Sequence, residues 1–205
     1  MSHSKVRIAE TNQTELKNGI RVATEDIGSP TATVGVFIDT GSRYETEETN
    51  GLSNLVIHSL LSGSKSRSKA QLESELQRIG ATLNANVERD RTWLTVRCLS
   101  ADVSKAIEIL GDLVSNPKFD ENDVQSERKN ILQEMEELDK NNEVIVMNNL
   151  HAMAYQNTPL ALPPIGRSHN ISSLSSNDLK TYVNTHFKGP RIVLSAAGTV
   201  DHNQM

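Results

Sequence analysis

Cysteine is almost missing from this sequence: its 205 residues include one, Cys98. One thiol forms no internal disulfide, which excludes a disulfide-stapled scaffold and fits a reducing compartment such as cytosol, nucleus or mitochondrial matrix. Aromatic residues are scarce at 3% within a hydrophobic fraction of 36%. No apolar run approaches the ~18 residues that a membrane span requires, so no direct span is expected. A basic excess is also lacking, since 21 Lys and Arg face 26 Asp and Glu for a net charge of −5. With no basic stripe to track phosphates, nucleic acid is excluded as a partner. There is no G-x-S-x-G elbow, P-loop, G-x-G-x-x-G fingerprint or C-x-x-C pair. The opening residues MSHSKVRIAETNQ carry neither the apolar core of a secretory signal nor an Arg- and Ser-rich, acid-poor transit pattern.

What is present reads as alternating strands and helices without an internal repeat. Lys17-Asn18-Gly19 marks a tight turn between two short strands, and TATVGVFIDTGS places Val34, Val36 and Ile38 on one face of a buried strand. From Gly51 the spacing changes to Leu52, Leu55, Val56 and Leu60, a helix closed by Gly63. Ser68 caps a second helix with Leu72, Leu76 and Ile79 as its stripe, ended by Gly80. TLNANVERDRTWLTVRCLS has a strand pattern with Leu94, Val96 and Cys98 on one side, which makes Cys98 an inert buried thiol. Helical spacing then runs to Pro117, a long acidic helix spans Asp120 to Leu138, and another covers about Glu143 to Gln156 before PLALPP. A short helix capped at Ser175 or Ser176 and the strand RIVLSAAGTV complete one α+β domain.

Two features carry possible chemistry. On a helix, Asn54 and His58 lie one turn apart on the same face. A zinc peptidase of the inverted type uses H-x-x-E-H, with two histidines on the metal and a glutamate activating water. Here the five residues read Asn54-Leu55-Val56-Ile57-His58. A neutral amide is a poor zinc ligand, and an isoleucine neither takes nor gives a proton. Read by itself, a lone histidine on a mostly apolar helix is a satisfied interior or boundary residue more often than a ligand. In the acidic helix, Val124, Ile131, Met135 and Leu138 form an apolar stripe, with Glu127 and Glu134 seven apart on one flank. Spacing alone favours the solvated border of an ordinary helix over metal carboxylates that face a cleft. The other histidines, His3, His151, His169, His186 and His202, show no ligand spacing.

Larger pieces of the sequence point further. LKNGIRVATE, TVGVFIDTGSRYETEETNGLSN, LQRIGATLNANVERDRT, ERKNILQEMEE, LHAMAYQNTPLALPPIGRS and HFKGPRIVLSAAG occur in order from about Thr14 to Val200. In these pieces the chain resembles the N-terminal half of the pitrilysin-type (inverzincin) metallopeptidases. The branch it resembles holds the mitochondrial processing peptidase subunits and the core subunits of respiratory complex III. The resemblance implies a mostly antiparallel sheet with helices packed on one face, a metallopeptidase-like domain over residues 14–205 after an N-terminal extension at 1–13, and the absence of the family's usual second half. It puts a first zinc histidine at Asn54, the catalytic glutamate at Ile57, the second histidine at His58, the third ligand at Glu134 and an accompanying carboxylate at Glu127. Leu83-Asn84-Ala85 falls on the strand that holds substrate peptides.

The resemblance thus implies a vestigial site and no catalytic residue. Its implied role is a non-catalytic structural core subunit of ubiquinol–cytochrome c reductase, on the matrix side of the mitochondrial inner membrane, with other core and cytochrome subunits or a second family half as partners. No cofactor is expected. The alternative is a processing-peptidase subunit concerned with zinc-dependent presequence cleavage or presequence binding.

Overall fold

In the computed structural model, which describes residues 9–205, the tight turn at Asn18-Gly19 joins strands β1 (Thr11–Glu15) and β2 (Arg21–Asp26) as an antiparallel hairpin. Gly19 adopts φ 84, a conformation open to glycine. β1 starts inside the stretch read as an N-terminal extension; residues 1–8 of that stretch, His3 among them, lie outside the described residues. Strand β3 (Thr31–Ile38) is followed by helices α1 (Leu52–Leu61) and α2 (Lys69–Arg78), strands β4 (Thr82–Val87) and β5 (Thr92–Leu99), and helix α3 (Val103–Ser115). Helices α4 (Glu121–Leu138), α5 (Asn142–Ala154), α6 (Ser168–Ser173) and α7 (Ser176–His186) precede the last strand, β6 (Ile192–Gly198).

The strands form one six-stranded sheet in the order β1-β2-β6-β3-β5-β4, parallel only between β2 and β6. Period-two alternation gives the sheet its apolar face. Val34 pairs with Val96 of β5 and Ala196 of β6, and all three are buried. Helices α1 and α3 pack on the sheet, α4 and α7 pack against α1, and together they close a core that includes Leu55, Leu60, Ile109, Leu113, Ile131 and Leu179. Ser68 caps α2 in a reciprocal capping box with Gln71, and Ser175 does the same for α7 with Asp178. β4 is an edge strand: it pairs with β5 and packs against α1.

The stretch with a single strand pattern is in fact the hairpin β4–β5. Its turn, Glu88 to Arg91, is closed by a backbone bond from Glu88 N–H to Arg91 O (2.8 Å) and by an ion pair between the same side chains (2.8 Å). α5 has no buried residue and exposes Val146, Met147, Leu150 and Met153.

Candidate metal centre

α1 begins without a side-chain cap of its own, at Gly51 with φ 100. Glu45, six residues upstream, takes that role. Its buried carboxylate accepts from Gly51 N–H (2.9 Å), Ser53 N–H (2.7 Å) and the Asn50 amide (3.0 Å), satisfying donors that a helix start leaves open. Burial pushes the Glu45 pKa up, against the hydrogen bonds from Ser53, Gly51 and Asn50. Asn50 also donates to Pro163 O (3.1 Å), and Asn170 donates back to Asn50 O (3.2 Å) and Glu47 O (2.7 Å). Here the backbones of Gly51 and Gly166 touch: a Cβ on Gly166 would lie 2.4 Å from Gly51 Cα.

So anchored, α1 turns His58 toward α4. Its Nδ1 lies 3.7 Å from Glu127 Oε2 and its Nε2 lies 3.6 Å from Glu134 Oε2. The two glutamates that share a flank in sequence therefore bracket one imidazole. Their environments differ, because Glu127 sits three residues after Val124 and four before Ile131, both fully buried, and is itself 6% exposed. Glu134 is exposed, so the solvated-border reading describes Glu134 and fails for Glu127. Asn54 is partly buried one turn before His58, and its amide nitrogen has no hydrogen-bond partner. Ile57 is 2% exposed and packs in the core.

The Glu127 carboxylate is enclosed by donors that spacing along the sequence did not reveal. Ser62 Oγ (2.8 Å) and Lys69 Nζ (3.3 Å) reach Oε1, and Asn130 Nδ2 (2.9 Å) reaches Oε2. Ser62 and Lys69 are 65 and 58 residues away in sequence, beyond any local pattern. The His58 imidazole first, then Asn130, Ser62 and Lys69, hold the Glu127 pKa down to about 2 against the burial that would raise it.

A depressed carboxylate pKa adds stability above its ordinary value, and that stability disappears as pH falls through the folded value. From an ordinary 4.5 to about 2, the contribution at neutral pH is on the order of 3 kcal/mol. We therefore expect Glu127→Gln to be less stable than the parent by that order at pH 6, with the gap closing as pH falls from about 4.5 to about 2. Urea unfolding of both chains across this range measures the gap. A gap independent of pH would show that the charge of Glu127 stabilises nothing.

Leu83, Asn84 and Ala85 lie in β4, opposite Val96, Thr95 and Leu94 of β5. Leu83 and Ala85 pack on the core while Asn84 is exposed. This edge runs beside α1, the helix that carries His58. The remaining described histidines are placed elsewhere. His151 Nδ1 lies 2.8 Å from Met147 O, His186 packs against Tyr182, His202 bridges Thr14 and Thr24, and His169 is exposed. Cys98 is buried, and burial raises its pKa.

A helix carrying His58 opposite a helix carrying two glutamates, beside an edge strand of the sheet, fits the expected family, and the comparison of whole sequences decides it. The pattern of insulinase (peptidase family M16) matches residues 21–167. The chain belongs to this family. Over 200 residues it is 45% identical to the mitochondrial-processing peptidase subunit beta of Rattus norvegicus, covering 98% of this chain and 41% of that protein. It is 46% identical over 198 residues to the human cytochrome b-c1 complex subunit 1, mitochondrial, covering 97% of this chain and 41% of that protein. The chain thus spans about two fifths of the length of these relatives. A protease from Helicobacter pylori shares the fold with a TM-score of 0.90 at 20% identity, over 96% of this chain and 48% of that one.

The M16 fold raises the question of whether the cleft fits zinc. A catalytic zinc site has three protein ligands and a water activated by a base. Among the described residues no group of three or more His, Cys, Asp or Glu side chains is arranged to hold a metal ion. His58 and Glu134 are the donors with room, Asn54 offers an amide in place of an imidazole, and Ile57 offers no base. The residues present do not fit a catalytic zinc.

Proposed function

We propose that this chain is a non-catalytic structural core subunit of mitochondrial respiratory complex III, built on an M16 domain whose zinc-peptidase site is degenerate. The observation that carries the reading is the pair of replacements on α1, with Asn54 one turn before His58 and Ile57 packed into the core beside it. The likeness to cytochrome b-c1 complex subunit 1 supports the same role. It also supports a mitochondrial location, and the proposal extends to the matrix side of the inner membrane with core and cytochrome subunits as partners. Among the described residues no helix is long and apolar enough to cross a membrane, so association with the inner membrane would run through those partners.

A second reading is favoured by one observation: β4, with Leu83-Asn84-Ala85, is an edge strand among the described residues and packs against α1. A sheet edge of this kind accepts an extended peptide as an added strand. A subunit of the mitochondrial processing peptidase, whose beta subunit is 45% identical to this chain, would use it to hold presequence peptides while a partner performs cleavage.

Metal analysis after dialysis, cleavage of a presequence peptide and co-purification separate these readings. We expect no stoichiometric zinc, no cleavage and recovery with cytochrome subunits. One zinc per chain, with cleavage abolished by His58→Ala, would replace the structural reading by an enzymatic one. Recovery with an H-x-x-E-H partner would favour the processing-peptidase reading.

A further inference from the structure

We propose that Lys69 is a built-in counter-cation of the cleft: its ammonium, held against Glu127, supplies the positive charge that a bound metal would otherwise lend to that carboxylate, and so weakens the cleft for divalent cations. This rests on the reading of the cleft as a degenerate metal site.

The first support is the enclosure of Glu127. A carboxylate offers about four lone-pair directions. Oε1 receives Ser62 at 2.8 Å and Lys69 at 3.3 Å, while Oε2 receives Asn130 at 2.9 Å and faces His58 at 3.7 Å. Every direction has a protein group in front of it, and a metal approaching Glu127 would have to displace one. A carboxylate with a side chain 8% exposed needs compensation for lost hydration, and neutral hydroxyl and amide donors bring no net charge. Among the described residues Lys69 is the one Lys or Arg within ion-pair distance of it.

The second support is the placement of Lys69. It is the first residue of α2, directly after the Ser68–Gln71 capping box that fixes the helix start. The loop before it is pinned through Arg67, which binds Glu75, Glu108 and Asp112. The stem of Lys69 therefore rises from a fixed backbone position toward α4. Its side chain is 54% exposed, so water screens the ammonium and holds the effect on a nearby cation to about tenfold at most.

The test uses Co²⁺ as the probe in a chain carrying Asn54→His, which restores an imidazole to the cleft. We expect Lys69→Met in that background to tighten Co²⁺ binding about three- to tenfold. Lys69→Arg, and Lys65→Met as a control for general charge, should stay within about twofold of the Asn54→His parent. The gain should shrink between about 0.05 M and about 0.5 M salt as the charges are screened. Unchanged or weaker binding with Lys69→Met overturns the proposal. A double-mutant cycle of Lys69→Met and Glu127→Gln in the otherwise unaltered chain, followed by urea unfolding, needs no metal. Coupling of about threefold or more in the unfolding constant is expected, and additive effects overturn the proposal. If Asn54→His binds no Co²⁺, the degenerate-site reading fails, and the cycle still decides the role of Lys69.

Discussion

Ile57→Glu is expected to destabilise the metal-free chain by about 3–5 kcal/mol. Position 57 is 2% exposed and packed among core residues, so a carboxylate there loses its hydration with no cation to replace it. For a chain of this size the loss corresponds to a fall in Tm of roughly 6–20 °C. Asn54→His, at a partly buried site whose amide nitrogen is already unpartnered, should cost under ~1 kcal/mol and restore metal binding without turnover.

In the double variant the two changes should support each other. Zinc at 100 times its Kd would return about 2.7 kcal/mol. Any peptide cleavage should require Ile57→Glu, because no other residue at that place on α1 accepts a proton. Thermal unfolding with and without zinc reads the outcome. An Ile57→Glu chain that melts at the parental temperature would refute the tight packing of Ile57. A double variant indifferent to zinc would refute the degenerate-site reading itself.

A comparable loss, about 3–5 kcal/mol, is expected from Arg67→Ala, at a residue that does not itself contact the cleft carboxylates. The Arg67 side chain is 11% exposed and binds Glu75 at 3.2 Å and Asp112 at 2.7 Å, with Glu108 as a third partner. Burial works against its charge, yet Asp112, Glu75 and Glu108 together raise its pKa above the usual arginine value. Asp112 also answers to Ser64, Ser66 and Asn116; burial would raise its pKa, but these donors and Arg67 hold it well below the carboxylate range. Removing the guanidinium leaves Asp112 with neutral donors and Glu75 with Lys105 alone, at 2.9 Å. Breaking one side of a buried ion cluster in this way costs far more than losing an exposed pair. Urea unfolding of Arg67→Ala beside Arg67→Lys measures the effect. A loss under ~1 kcal/mol would mean that solvent screens the cluster as it does a surface pair.

Much of the fold is visible in the sequence because local chemistry and tertiary placement agree. Asn18-Gly19 turns the first hairpin, Ser68 caps α2, and the alternation at Leu94, Val96 and Cys98 falls on the buried side of β5. The hairpin β4–β5 is hidden because its turn, Glu88 to Arg91, contains no Gly, Pro or Asn and closes through charges. α6 is hidden because six residues with one apolar side chain, Ile171, set up no period. The meeting of His58, Glu127 and Glu134 follows from the family resemblance, since spacing alone left Glu127 at a solvated border. Burial of Glu127 depends on Ser62 and Lys69, donors from two other elements, and no one-dimensional pattern contains them.

The contact of Gly51 with Gly166 bears on how the cleft moves. Both residues have positive φ, at 100 and 92, and each would drive a Cβ into the other's backbone, so the start of α1 and the segment around Gly166 lie against each other with no side chain between them to act as a cushion. Asn50 and Asn170 stitch the same two segments together by hydrogen bonds to main-chain oxygens. A joint this short transmits displacement almost without slack, so the two segments travel as one stiff body. Breathing of the space between them and α4 then falls to the opposite wall. A cavity of about 240 Å³ there is shared by Met135 and Leu138 of α4, Val144 and Ile145 of α5, and Ile165 and Gly166. α5 has no buried residue, so the expected compliant side of that wall is α5, and the expected rigid side is the glycine joint.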